Sequence, residues 1–185
     1  MDIKFRMAIA EGKFQQMKKL FCDREISIKL RAKTFLQSYV RSRLCYACQA
    51  WDLKESEISS MEVKWHGFLR RMINNGFKRK EDSMAFQYSN ADLVKMTGTE
   101  PLIQYIYEQR LKYIANVSRM ENNDIRKQIL FAKENPKSRS IWKNFEKQCG
   151  IDKQQILRLM MDKNRFFNFI SGIDVLKLQK CHVLQ

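Results

Sequence analysis

The chain has 185 residues, 44% of them hydrophobic and 30% charged, which is enough for one compact domain or two small ones and excludes a disordered tail. Its net charge of +15 sets up a field that draws polyanions, nucleic acid first and anionic membrane surfaces second. Six glycines and two prolines are few for a protein of many tight β-turns, and no stretch reaches the roughly 18 apolar residues of a membrane span.

Residues 1–6 mix charge and hydrophobe and lack the apolar block of a secretion signal. With an odd count of five cysteines, this fits a reducing compartment, and the expected localisation is cytoplasmic and nuclear.

The first element runs from Asp2, a candidate N-cap, to about Phe21. Ile3, Met7, Ala10, Phe14, Met17 and Phe21 recur at alternating steps of four and three, the rhythm of one helix face. Ser27 is placed to cap a second helix that turns Ile28, Phe35, Tyr39 and Val40 inward. Lys29, Arg31, Lys33, Arg41 and Arg43 then form a cationic flank, with no acid between Ile26 and Ala50. At Leu44-Cys45-Tyr46-Ala47-Cys48-Gln49-Ala50-Trp51 apolar residues crowd together, so the helix ends there or is buried on most sides.

A third helix starts near Glu55, carries Ile58, Met61, Trp65, Phe68 and Met72 on one face, and stops at Asn74-Asn75-Gly76. Phe77 to Gln87 has no period and reads as an exposed loop holding Lys78-Arg79-Lys80. Asn90 is the expected cap of a short helix closing at Gly98. Thr99 caps the next, with Pro101 tolerated in its first turn and Leu102, Ile106, Tyr113 and Val117 on its buried side.

A polar, basic stretch from Glu121 to Arg139 holds a short helix around Ile125 to Phe131. Ser138 or Ser140 opens a helix bearing Trp142 and Phe145 that ends at Cys149-Gly150. Asp152 and Gln155 form a capping box for a helix carrying Ile156, Leu159 and Met160, and from Ser171 the pattern fades. The expected fold is therefore all-α, an irregular bundle of roughly seven to nine helices with no strand pair. The composition shift after residue 120 divides it into regions 1–120 and 121–185.

Catalytic chemistry is sparse. A polymerase or nuclease needs clustered carboxylates to hold two metal ions, and the sequence has no adjacent pair of aspartates. Asp92 reads as a helix-start residue and Asp124 as a solvated one. The glycines stand singly, so there is no phosphate loop, and neither His66 nor His182 has a neighbouring nucleophile. Cys45 and Cys48 form a C-x-x-C, but the nearest second half of a zinc site is the adjacent pair Cys181-His182; two buried thiols fit better. What persists is a set of cations interleaved with aromatics. Arg41 and Arg43 flank Tyr39 and Tyr46, Arg70 and Arg71 follow Trp65 and Phe68, and Lys78-Arg79-Lys80 follows Phe77.

The segment Leu44–Trp51 resembles the "L-x-Y-G-C-E-x-W" signature that follows the palm in reverse transcriptases of non-LTR retrotransposons, the jockey and RTE kinds. Ser38-Tyr39-Val40-Arg41-Ser42 resembles the "YV-x-S" before it, and Met17-Lys18-Lys19-Leu20 the family's "LKKL" lead-in. Trp65 to Met72 resembles its "W-x-x-x-L-R-R-M" helix. Thr97-Gly98, Pro101-Leu102 and Gln109 to Met120 resemble "T-G-x-x-P-L … R-R-L-R-W-L-G-H-V-x-R-M". The matches lie in order over about two-thirds of the chain. Ala47 replaces the usual Gly, Gln49 the usual Glu, and Ala115-Asn116 the usual Gly-His, which loses an imidazole.

The resemblance implies a thumb and post-thumb fragment of an RNA-directed DNA polymerase that lacks the catalytic palm and fingers. The parent polymerase would need Mg, while this chain alone holds no cofactor and does not polymerise. Its implied partners are RNA and DNA in a template–primer duplex, gripped through phosphates by Arg41, Arg43, Arg70, Arg71, Lys78, Arg79 and Lys80. The alternative is an independent small basic helical RNA- or DNA-binding protein derived from such an element.

Overall fold

The computed structural model describes residues 3–51, 55–73, 78–80, 85–131, 150 and 152–172. Among these, every regular element is helical; the one β feature is an isolated antiparallel bridge between Arg79 and Phe86. The expected all-α bundle is the observed architecture. Asp2, Asn74-Asn75-Gly76, the helix expected from Ser138 or Ser140, and Cys181-His182 lie outside the described residues.

Contacts divide the chain into two compact units, Met1–Tyr107 and Glu108–Gln185. In the first, α1 (Ile3–Gln16) buries Ile3, Ala10 and Phe14. The single helix expected to Phe21 is interrupted at Met17, whose N–H is shared between the Lys13 and Phe14 carbonyls at 3.3 and 3.2 Å, before α2 (Lys18–Phe21). Helix α5 (Glu55–Met72) buries all five residues of its expected face together with Leu69. Phe14 joins the three helices: its ring stacks on Phe21 and on Phe68, each at 5.1 Å between centroids.

The second expected helix departs from α geometry. Ser27 Oγ accepts from the Leu30 N–H at 3.3 Å and opens α3 (Ile28–Leu30), as its position in the sequence implied. A π-helix, Arg31–Arg41, follows, and α4 (Ser42–Leu44) completes the element. The buried stripe is Ala32, Leu36, Val40 and Leu44, each four residues from the last. On an α-helix, such a stripe drifts roughly 40° per step; the wider π winding drifts the other way and keeps it on the core. The cost of an α-based expectation falls on Tyr39, which was assigned inward and instead lies 42% exposed.

After α4 the chain turns through Ala47, the one described non-glycine residue with positive φ (φ 58°, ψ 27°), into a 3-10 turn, Cys48–Ala50. A Cβ in this left-handed region costs roughly 1–2 kcal/mol, while glycine's extra unfolded-state freedom costs about 0.5–1 kcal/mol. Ala47→Gly is therefore expected to stabilise the chain by up to about 1 kcal/mol, read as a small rise in Tm.

Helix α6 (Asn90–Thr97) is capped one residue earlier than expected. Ser89 Oγ accepts from the Asp92 N–H at 3.2 Å, and the Asp92 carboxylate accepts from the Ser89 N–H at 2.9 Å. It ends as expected at Gly98, φ 63°. Helix α7 (Leu102–Ser118) contributes Leu102 and Ile106 to the first core. Its N-terminus is satisfied by Glu62, whose Oε1 accepts from the Ile103 N–H at 2.7 Å, in place of the expected Thr99 cap; Thr99 instead shares a 2.9 Å hydrogen bond with Thr97.

In the second unit, Leu111, Ile114 and Ala115 of α7 form a core with Ile156, Met160 and Phe166. Val117 is buried as expected, whereas Tyr113 is exposed. The unit boundary at Tyr107/Glu108 thus falls where α7 changes core, while the composition shift after residue 120 marks the end of that helix. Helix α8 is Ile125–Phe131, and α9 (Lys153–Met161) carries the expected Asp152–Gln155 capping box. Its end is bound by Arg119, which donates to the Met160 carbonyl at 2.6 Å. A further helix, α10 (Lys163–Gly172), was not expected; Asp162 Oδ1 accepts from the Asn164 and Arg165 N–H groups at its start, and it buries Phe166.

Candidate nucleic-acid interface

The seven cations singled out in the sequence occupy two kinds of place. Arg43, Lys78, Arg79 and Lys80 are exposed. The last three lie on a short extended segment held by two backbone bonds, Lys80 N–H to the Ala85 carbonyl at 3.0 Å and Gln87 N–H to the Lys78 carbonyl at 2.7 Å. Arg79 also lies over the Phe86 ring, 3.9 Å from its centroid. This pairing presents three consecutive exposed cations.

Arg41, Arg70 and Arg71 are turned into the protein. Arg41 pairs with Glu100 and lies 3.9 Å over the Tyr105 ring. Arg70 is buried; it donates to the Tyr88 carbonyl and to Asn90 Oδ1, both at 2.8 Å, and lies over Phe86 at 4.1 Å. Burial, and secondly the nearby Arg79 charge, lower its pKa. Arg71 forms a two-pronged ion pair with Glu11 at 2.5 and 2.8 Å and lies over Phe14 and Phe68. In the sequence the Arg70-Arg71 doublet looks like one basic feature. On the helix its members point to different neighbours, and both hold the fold.

Arg31 behaves the same way. It was expected on the cationic flank, yet it is only 6% exposed and donates to the carbonyls of Phe21 (2.6 Å), Met72 (3.1 Å) and Ile26 (2.8 Å). Phe21 and Met72 are the last residues of α2 and α5, so one guanidinium satisfies the ends of two helices.

Two acids of the first unit, Glu11 and Glu100, are paired with cations of the same unit. Glu11 is bound by Arg71 and by Lys64 at 2.5 Å. The Arg71 hydrogen bonds hold its carboxyl far below the usual carboxylate range, against the opposing effect of burial. A folded-state pKa below the unfolded one adds stability above about pH 4.3 that is lost as pH falls. Glu11→Gln is therefore expected to cost about 1 kcal/mol at neutral pH and progressively less as pH falls below about 4.3, the cost vanishing only when the folded carboxyl is itself protonated, read from urea melts across that range.

Glu62 is pushed up by burial, and its Oε2 lies 3.7 Å from His66 Nε2. Burial, then the Arg70 charge, lower the His66 pKa, and the ring is half-buried. Asp92 serves in a helix cap, and Asp124 pairs with Arg126 at 2.7 Å. No group of three or more metal-ligating side chains occurs among the described residues. Cys45 and Cys48 are buried thiols outside any disulfide, and burial pushes the Cys45 thiol up, away from the reactive thiolate.

The sequence reading missed further cation–aromatic pairs, two of them on α1. Arg6 lies over the Tyr46 ring at 5.0 Å and Lys13 over the Tyr39 ring at 5.7 Å. The signal available was the spacing of Arg6 and Lys13, two helical turns apart on α1 beside the face that buries Ile3, Ala10 and Phe14.

The described residues define a basic, all-helical protein with exposed cations. No protein-family model matches the chain, and no curated protein or solved structure is significantly similar to it. No helix among the described residues is long and apolar enough to cross a membrane.

Proposed function

We propose that this chain binds nucleic acid through the phosphate backbone, as the thumb and post-thumb portion of a non-LTR retrotransposon reverse transcriptase, and that it does not polymerise by itself. The observation that carries the proposal is the net charge of +15 together with the exposure of Arg43, Lys78, Arg79 and Lys80. Contacts of this kind hold a duplex in register without reading its sequence. The ordered motifs supply the reverse-transcriptase part of the proposal. Ala47 supports it: the motif has glycine there, and the backbone is left-handed.

Two experiments test the proposal. Extension of a primer on an RNA template by the purified chain would overturn the inactive-fragment reading. Sequencing the transcript upstream of Met1 is expected to find an open frame containing a Tyr/Phe-x-Asp-Asp palm. Stop codons directly upstream would favour the alternative, an independent small RNA- or DNA-binding protein. The first unit's own core, with Phe14, Leu36, Trp65 and Phe68 fully buried, favours that alternative in one respect, because it suits folding without a partner.

A further inference from the structure

Along the line where α1 packs on the π-helix and α4, exposed aromatics alternate with cations. Tyr46 is 61% exposed and Tyr39 is 42% exposed, yet each has a cation over its ring, Arg6 and Lys13 respectively. Arg43 stands four residues beyond Tyr39, about one turn along, and is exposed. Phe5 and Ile9, one turn apart on α1, add exposed apolar area.

The charge here has one sign. No acid occurs between Ile26 and Ala50, and the single acid of α1, Glu11, is held by Arg71 and Lys64 of α5. A cation on one face of a half-exposed tyrosine leaves the other available for stacking, and every base has a face to offer. Arg6 and Lys13 are roughly 10 Å apart along α1, a span of one to two nucleotides of an extended strand.

We infer that this seam is a stacking platform for single-stranded nucleic acid: Tyr39 and Tyr46 stack on unpaired bases while Arg6, Lys13 and Arg43 neutralise the adjoining phosphates. The inference rests on the proposal that the chain binds nucleic acid and specifies the strand and the surface. Duplex binding needs only phosphate contacts, whereas this seam recognises bases that have left their stack. A docked protein is the competing occupant, and a one-signed, aromatic-lined strip suits a polyanion with flat faces better.

The test is fluorescence anisotropy of the full chain with a labelled single-stranded RNA, an abasic strand of equal length and charge, and an RNA–DNA duplex. Tyr39→Ala and Tyr46→Ala are each expected to weaken single-strand binding by about five-fold to a hundred-fold, with duplex affinity changed by less than about two-fold. Tyr39→Phe and Tyr46→Phe keep the ring and are expected to bind as the wild type does. The abasic strand should bind the wild type at least about five-fold more weakly, a comparison that needs no variant. Equal affinity for the abasic strand, or a Tyr39→Ala/Tyr46→Ala variant that binds single strands normally, would overturn the platform while leaving duplex binding intact. Failure of the wild type to bind any of the three probes would remove the nucleic-acid proposal and the platform with it.

Discussion

Replacing Arg31 by methionine is expected to lower the stability of the chain by about 2–4 kcal/mol, the largest effect of any single charge removal in the first unit. Three backbone carbonyls lose their donor at once, and those of Phe21 and Met72 close the ends of α2 and α5. A buried acceptor left without a partner costs roughly 1–3 kcal/mol, and the helix ends also lose a cation that suits their negative pole. Arg31→Lys is expected to recover less than half of the loss, because an ammonium is a point donor and cannot fork to three acceptors on two elements. Urea melts of the two variants beside Arg43→Met provide the check. Arg43 is exposed, and its replacement is expected to change stability by less than about 0.5 kcal/mol.

The second large effect concerns binding. A variant with Arg43, Lys78, Arg79 and Lys80 all replaced by alanine is expected to reduce the slope of log K against log salt, on an RNA–DNA duplex, by about three to four. Each phosphate neutralised releases about 0.9 of a counterion equivalent, so four lost contacts amount to as much as a thousand-fold in affinity near 0.15 M salt. This variant is expected to fold, since all four side chains are exposed. Removing Arg70 or Arg71 instead would confuse binding with stability, since Arg70 joins α5 to the Tyr88–Asn90 segment and Arg71 joins it to α1.

The sequence and the structure diverge for identifiable reasons. Helical rhythm marked α1 and α5 because their buried residues keep the spacing of three and four that the core selects. Capping chemistry marked Ser27 and Asp152, where a side-chain oxygen and a free N–H meet within one turn. The π-helix escaped notice, since winding is set by how Ala32, Leu36, Val40 and Leu44 meet the core and leaves no local signature. Its consequence is that Tyr39 lies at the surface and not in the expected core position.

The candidate interface was legible as charge and illegible as geometry. Arg41, Arg43, Arg70 and Arg71 look alike in a sequence, and only the long-range partners Glu100, Tyr88, Asn90 and Glu11 separate those that hold the fold from Arg43, which is exposed. The same limit hid Arg6 and Lys13. Their aromatic partners lie more than twenty residues away, across the packing of α1 on the second element.

The central claim is that this basic helical surface holds a nucleic-acid backbone. Its most direct test is the affinity of the unmodified chain for an RNA–DNA template–primer between about 0.05 and 0.4 M salt. The account predicts a straight line of log K against log salt, falling with a slope of magnitude about three or more. Binding that is absent at the lowest salt, or present and insensitive to salt, would contradict it.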